Sequence, residues 1–336
     1  LLRRLVETDV TAVHLHSSRA GLVGRLALLG TRLRVPVFYS PHGLACLNRR
    51  YWLPGLLHAG LERLAARTQC TLVGCGRSEA ALLTQIGRRP ARLLENAVDD
   101  GFFSIVRHET KPPLVLSIGR ICRQKAPEHF AKLAARFQIA EVPARFVWVG
   151  AGDAASEACL RASGVEVTGW VGPEQVRRWL EQASVYVQTS RWEGMPLSVL
   201  QALAAGVPCV VNDAVGNRDA VRQGITGFVA RNSDEMVMTV QRLLQDETLR
   251  RRFSQAARRD AHERFGSASF RERLLRLYGL ASHGQAQAAV PRPHNVARLP
   301  APRTPAARPV LIERRINKSR VPYMPERRAS ARSLRA

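Results

Sequence analysis

The chain has 336 residues, 46% of them apolar, and its 51 Lys and Arg against 27 Asp and Glu give a formal net charge of +24. That length and apolar share suffice for two ordinary domains with a core each, which excludes a fibrous or wholly disordered chain. No apolar run approaches the roughly 20 residues that span a bilayer, and the positive field favours anionic partners (nucleotide phosphates, an acidic membrane face, nucleic acid) without choosing among them.

In chain order, the first part holds three short apolar runs, "TAVHLH", "VPVFYS" and "TLVGC", between amphipathic stretches. The Pro pair in "RHETKPPLVLSIG" interrupts both helix and strand and predicts a boundary near residues 107–113. Beyond it come "PLVLSIG", "RFVWVG", "VEVTGW", "VYVQTS" and "PCVVN", followed by helical periods around 233–246, 247–264 and 267–280. Apolar runs alternating with helices predict an α/β chain with two parallel sheets, each covered on both faces. The first sheet is expected to be incomplete, with three strand candidates against at least five in the second. From residue 281 onward, twelve Lys and Arg face two Asp and Glu with no sustained apolar period, which reads as a disordered basic tail. The six cysteines, at 46, 70, 75, 122, 159 and 209, form no C-x-x-C pair, so reduced thiols of a cytoplasmic protein are expected.

Two loops stand out for chemistry. In "LSIGRICRQKAPEHF" a strand ends at Ile118, Gly119 turns the chain, Arg120 and Lys125 occupy the loop, and Pro127 opens a helix. Ligands of open parallel sheets bind outside the carboxyl ends of the strands. Two cations beside a helix N-terminus suit a diphosphate, Arg as a planar fork and Lys as a mobile point charge; for this segment alone, a solvated basic loop is the alternative. In "VYVQTSRWEGMPLSVLQALAAGVPCVVN" a strand leads through a turn holding Glu193 to a helix that starts at Pro196 and stops at Gly206 and Pro208. A carboxylate accepts from sugar hydroxyls, while free N–H groups at 195–197 favour phosphate oxygens. A Glu in a turn is by itself more often surface than site, and its meeting the Arg120 and Lys125 loop in one sheet reverses that balance. "GAGDA" at 150–154 is too short for a dinucleotide fingerprint and reads as a strand-end turn.

From about 113 to 265 the chain resembles the nucleotide-sugar half of retaining glycosyltransferases of family four. The resemblance rests on "SIGRICRQK", "FVWVGAGD", "VEVTGWV", "SVYVQTSRWEGMPLSVLQALAAGVPCVV" and "GITGFVA", in that order. The first part is similar more loosely, through "HLHSSRAGLVGRLA", "YSPHG", "LERLAARTQCTLVGCGRSEAALL" and "LLENAVDDGFF". The resemblance implies the GT-B fold, two Rossmann-like domains with parallel sheets, the first incomplete. It implies a partial acceptor-side domain over 1–108, a donor-binding domain over 109–266, a helix over 267–280 returning to the first domain, and the tail over 281–336. The activity implied is transfer of a sugar from a UDP- or GDP-linked donor to a saccharide or lipid-linked acceptor in cell-surface polysaccharide synthesis, with retention at the anomeric carbon. No cofactor or metal is expected, and there is no D-x-D motif.

Carried over to this sequence, the family pattern has Arg120 and Lys125 neutralising the leaving diphosphate and Glu193 facing the sugar hydroxyls. Gly194, Met195, Pro196 and Leu197 cradle sugar and phosphate by their backbone, and Gly169, Trp170 and Val171 meet the nucleobase. His42, in "SPHG", is the cleft histidine of the first domain, with a strand-end histidine bonded to backbone as its alternative; His14 and His16 are read as structural. Two departures stand out. Gln201 replaces the Glu that usually accepts both ribose hydroxyls, and "AVGNRDAV" has Asp219 near the place of a Glu that follows a Gly pair. The strand, glycine-rich loop and helix that open family members have no match at the start, so weak or absent turnover is expected of the chain as it stands.

Residues 44–67 mix Arg, Tyr, Trp and Leu, which fits either peripheral contact with an anionic membrane at the inner face of the cytoplasmic membrane or an ordinary domain helix. Two other functions stay open: a catalytically silent sugar-nucleotide binder, and a basic nucleic-acid-binding protein. Against the last, aromatics are 6% and are not interleaved with the basic runs, so no specific nucleic-acid partner is expected.

Overall fold

The computed structural model describes residues 10–29, 35–44, 47, 60–65 and 68–280. The basic tail over 281–336 and most of the 44–67 stretch lie outside the described residues. The first sheet contains β1 (Val13–His16), β2 (Val37–Ser40), β3 (Thr71–Gly74) and β4 (Arg92–Leu93), paired in that order and all parallel. The three strands read from the sequence are present. The fourth, β4, is two exposed residues at a sheet edge, too short to show any alternation. Helices α1 (Ser18–Leu29) and α2 (Arg77–Gly87) follow β1 and β3.

The second sheet has six parallel strands in the order β10-β9-β8-β5-β6-β7: β5 (Leu114–Ile118), β6 (Arg145–Val149), β7 (Val165–Val167), β8 (Ala183–Gln188), β9 (Cys209–Asn212) and β10 (Gly227–Ala230). Between them run α3 (Pro127–Ile139), α4 (Ala154–Ala162), α5 (Pro173–Gln182), α6 (Leu197–Ala204) and α7 (Asn217–Ala220); α8 (Ser233–Gln245), α9 (Glu247–Phe265) and α10 (Ser267–Leu277) complete the described chain. Successive strand residues point to opposite faces, so each strand feeds two cores. Leu114 and Leu116 pack with Val199, Leu203 and Ala261 on one side. Val115, Val185 and Val210 pack with Phe130, Val240 and Phe253 on the other. Burial on both faces explains why β5 and β8 are buried at every position and carry few polar residues.

Phe270, Leu274, Leu277 and Tyr278, from α10 and the residue after it, pack against Phe38, Val73 and Leu94 of the first sheet and its flank. Polar bonds also join the parts built on the two sheets. Asp219 of α7 accepts from the amide and hydroxyl of Ser78 at 2.8 and 2.9 Å, and Arg264 donates to Glu95 at 2.6 Å. No helix among the described residues is long and apolar enough to cross a membrane.

Candidate functional site

The carboxyl ends of β5, β6 and β7 lie side by side, and at Gly150 and Gly152 the backbones approach so closely that no side chain fits. A Cβ on Gly150 would stand 2.2 Å from the carbonyl oxygen of Gly119, and Gly150 bridges Gly169. "GAGDA" is thus the strand-end turn read from the sequence, pressed against the loop that carries Arg120. Gly169 has φ +78, and the next residue, Trp170, is 70% exposed. Val171 packs partly against the core beneath.

Lys125 ends a short 3-10 turn after β5, and its carbonyl accepts from the Thr189 hydroxyl at 2.8 Å, which ties this loop to the end of β8. Its Nζ reaches Oε1 of Glu193 at 2.8 Å, with both side chains largely shielded from solvent. Two amides complete the cage: Gln188 donates to Oε1 of Glu193 at 3.2 Å and Gln124 to Oε2 at 3.4 Å. The backbone of Glu193 is held by its N–H on the Val215 carbonyl at 2.9 Å. The predicted pairing of the two loops is therefore a direct contact. Arg120 stands at the same strand end, exposed and without an ion-pair partner among the described residues.

Beyond Glu193 the chain passes through buried Gly194, Met195 and Pro196 into α6, whose first N–H groups have no intrahelical acceptor. The Met195 carbonyl accepts from Asn96 at 3.1 Å, and Leu197 is 51% exposed. Gln201, half-buried on the same helix, has no side-chain hydrogen bond among the described residues.

The opposite wall comes from the loop after β2. A Cβ on Gly194 would fall 2.6 Å from the Gly43 nitrogen and 2.7 Å from the His42 carbonyl carbon, so the two loops meet with no room for a side chain. His42 adopts φ +52, a left-handed conformation that is uncommon outside glycine and held only where the surroundings over-determine it. The constraint is visible: the Gly43 amide donates to Glu79 at 2.6 Å, and Glu79 also accepts from the amide and thiol of Cys75, each at 2.9 Å. Incomplete exposure and the neighbouring His16 lower the His42 imidazole below its ordinary value.

Sequence reasoning did not single out Gln124, Gln188, Glu79 or the contact of His16 with His42. Gln188 had one signal, an amide ending an otherwise apolar strand, where a buried polar group needs a partner. Glu79 had none, since a Glu in the first turn of a helix ordinarily serves the helix dipole.

The glycosyl transferases group 1 family model matches residues 100–260, and the glycosyl transferase 4-like domain model matches residues 1–97. The chain is 27% identical over 277 residues to the UDP-Gal:alpha-D-GlcNAc-diphosphoundecaprenol alpha-1,3-galactosyltransferase of Escherichia coli, covering 74% of this chain and 70% of that protein. It is 30% identical over 153 residues to the alpha-D-kanosaminyltransferase of Streptomyces kanamyceticus, covering 43% of this chain and 40% of that protein. Its fold is similar to that of sucrose-phosphate synthase from Thermosynechococcus elongatus, with a TM-score of 0.71 at 16% identity, over 83% of this chain and 75% of that one. It is likewise similar to that of Anabaena HepE in complex with UDP-glucose, with a TM-score of 0.68 at 16% identity, over 83% of this chain and 82% of that one.

Proposed function

The chain belongs to the glycosyl transferases group 1, enzymes of the GT-B fold, and from this premise we propose that it moves a hexose from a UDP- or GDP-linked donor to a lipid-linked saccharide acceptor with retention. The observation that carries this reading is the Lys125 to Glu193 contact at 2.8 Å, made across two neighbouring strand ends and faced by the His42 and Gly43 loop. A cation and a carboxylate fixed side by side match a donor whose pyrophosphate is anionic and whose sugar offers hydroxyl donors.

In this reading Arg120 and Lys125 offset the negative charge that builds on the departing diphosphate, the usual largest contribution in such a reaction. Glu193 accepts from the hydroxyls of the donor sugar, and the backbone from Gly194 to Leu197 holds sugar and phosphate. Gly169, Trp170 and Val171 meet the base, Gln201 meets the ribose, and His42 closes the site from the first domain. The anomeric carbon's bond to the phosphate oxygen breaks and its bond to the acceptor oxygen forms on the same face. The acceptor proton passes to the departing phosphate, so no protein nucleophile is needed and positioning does the rest.

Two relatives support the lipid-linked acceptor, since their names specify diphosphoundecaprenol substrates: the E. coli galactosyltransferase and an N-acetylgalactosaminyltransferase of Campylobacter jejuni, 30% identical over 174 residues. With an acceptor of that kind, the reaction we propose belongs to cell-surface polysaccharide synthesis at the inner face of the cytoplasmic membrane. The test is calorimetry against a panel of UDP- and GDP-sugars, followed by transfer to undecaprenyl-diphosphate-linked saccharides. Micromolar binding of one donor, lost in Lys125→Met and Glu193→Gln, is expected; binding unchanged in both variants overturns the reading.

A further inference from the structure

His16 and His42 leave the first sheet at the ends of neighbouring strands and share a hydrogen bond of 2.8 Å between Nδ1 of His16 and Nε2 of His42. Their rings lie nearly coplanar, edge to edge along that bond, with centroids 5.1 Å apart and planes 19° from parallel. Behind them His14 stacks on His16 at 4.2 Å. His14 is held at both nitrogens, by the Tyr278 hydroxyl at 2.7 Å and the Ser40 hydroxyl at 2.9 Å. The main chain of His42 is fixed from two other directions, by Glu79 on the Gly43 amide and by Gly194 against its carbonyl carbon. What remains free in His42 is the rotation of its imidazole and the choice of tautomer. The bond to His16 restricts both.

We propose that His16 is a positioning residue for His42, holding its imidazole at the cleft with Nε2 engaged and Nδ1 left to meet substrate. This rests on His42 being the cleft histidine of the transfer reaction. One proton lies between the paired nitrogens. If His42 supplies it, Nδ1 of His42 is an acceptor and Nε2 of His16 a donor; if His16 supplies it, the two roles exchange. Either way the pair presents one donor and one acceptor outward, which suits hydroxyl groups. The groups facing the pair are His14 by stacking, Glu79 through the Gly43 amide and the Glu193–Gly194 turn. Burial first, and then the neighbouring rings, lower the His14 imidazole to about 4, and burial and then the His16 ring lower His42, which favours its neutral form.

The test uses the full chain with His16→Phe, which keeps a ring and removes the hydrogen bond, and His16→Asn, whose amide stands where Nδ1 stood. Two readings are taken: transfer kinetics with the nucleotide sugar, and imidazole nitrogen chemical shifts by NMR. His16→Phe should lower kcat by about tenfold or more, as small misplacements of positioned groups do, with the donor KM little changed. His16→Asn should recover most of the loss, and His16→Phe should cost nothing further in a His42→Ala background. The His42 nitrogen shifts should move in the Phe variant and return toward wild type in the Asn variant. Wild-type kcat and unmoved His42 shifts in His16→Phe overturn the proposal, as does an undiminished loss in the His42→Ala background. If Phe prevents folding, the Asn variant decides: retained His42 shifts support the proposal, and shifts of an unpartnered ring overturn it. Where the wild-type chain shows only the weak or absent turnover expected of it, the NMR reading decides this inference alone, with unmoved His42 shifts in His16→Phe overturning it, and donor binding by calorimetry tests the proposed function separately.

Discussion

Lys125 and Glu193 approach to 2.8 Å across the ends of β5 and β8, two strands that pair directly in the sheet although far apart in sequence. Adjacent parallel strands bring their carboxyl-end loops together, so the topology itself makes the pair. A charge pair assembled before any ligand arrives needs no reorganisation when the donor binds.

Breaking that pair from one side should be worse than removing it. In Lys125→Met the Glu193 carboxylate keeps, among the described residues, the amides of Gln188 and Gln124 alone. An uncompensated carboxylate that is 8% exposed destabilises, here on the order of 1 to 2 kcal/mol because the pair keeps some access to water. Adding Glu193→Gln removes the stranded charge. Thermal melts should therefore rank the double variant above Lys125→Met, with donor binding absent in both. A double variant that melts at or below the single one contradicts the account.

The site was legible in the sequence where punctuation and chemistry coincide. Gly119, Pro127 and Pro196 mark where strands hand over to helices and Gly206 where a helix stops, so the sequence alone puts Arg120, Lys125 and Glu193 at one sheet edge. The contact of His16 with His42 could not be read. It depends on the register that sets His16 beside Ser40 and on the left-handed turn two residues later, and neither leaves a trace in period or composition. Glu79 was hidden for a related reason. Its partner, the Gly43 amide, belongs to a different strand-end loop, and a backbone donor has no sequence signature.

Gln201→Glu should tighten donor binding. Gln201 is half-buried on α6 without a side-chain partner among the described residues, so its carbonyl is available to ribose. A carboxylate there would make charge-assisted bonds, roughly twice as strong as neutral ones, a gain of about 1 kcal/mol. Calorimetric titration with the preferred nucleotide sugar measures it, and unchanged or weaker affinity contradicts it.

Trp170→Ala should weaken nucleotide binding without touching the fold. The indole is 70% exposed beside the Gly169 turn, so removing it costs little packing. Base stacking on an aromatic ring is worth about 1 to 3 kcal/mol. Titration with the free nucleoside diphosphate should show that loss, while the melting temperature stays within about a degree of wild type, as expected of an exposed substitution. Quenching of indole fluorescence by nucleotide in the wild type, absent in the variant, is a second check.

Stability should fall as the pH drops from about 6.5 towards 4. Burial and the neighbouring His16 and His42 rings keep the His14 imidazole at about 4, against 6.5 for a free one. Below 6.5 the unfolded chain takes up a proton that the folded chain refuses, so acid favours unfolding until the folded group also titrates. Above that window the contribution is fully present. His14→Phe removes the proton uptake and should flatten this part of the stability profile measured by urea unfolding; an equally steep profile in the variant contradicts the assignment.

Gly194→Ala should open the cleft while leaving the second sheet intact. The added Cβ would lie 2.6 Å from the Gly43 nitrogen, 2.7 Å from the His42 carbonyl carbon and 2.8 Å from the Cys75 sulfur. The first two are backbone atoms pinned by the Glu79 carboxylate, so no side-chain rotation relieves the clash. The His42 loop must instead retreat from the Glu193 turn, at a cost of about 1 to 3 kcal/mol typical of overpacking. Nucleoside diphosphate binding should survive, since the substitution keeps the Gly194 amide and leaves Arg120, Lys125 and the Gly169–Val171 loop unchanged. Transfer, which needs His42 held opposite Glu193, should fall by about a hundredfold or more, as misplacement by an ångström does. Gly60→Ala is the control, since a Cβ there meets nothing within 4 Å among the described residues, and it should leave both readings unchanged. Normal transfer by Gly194→Ala would mean that the close approach of the two loops is not required for the reaction.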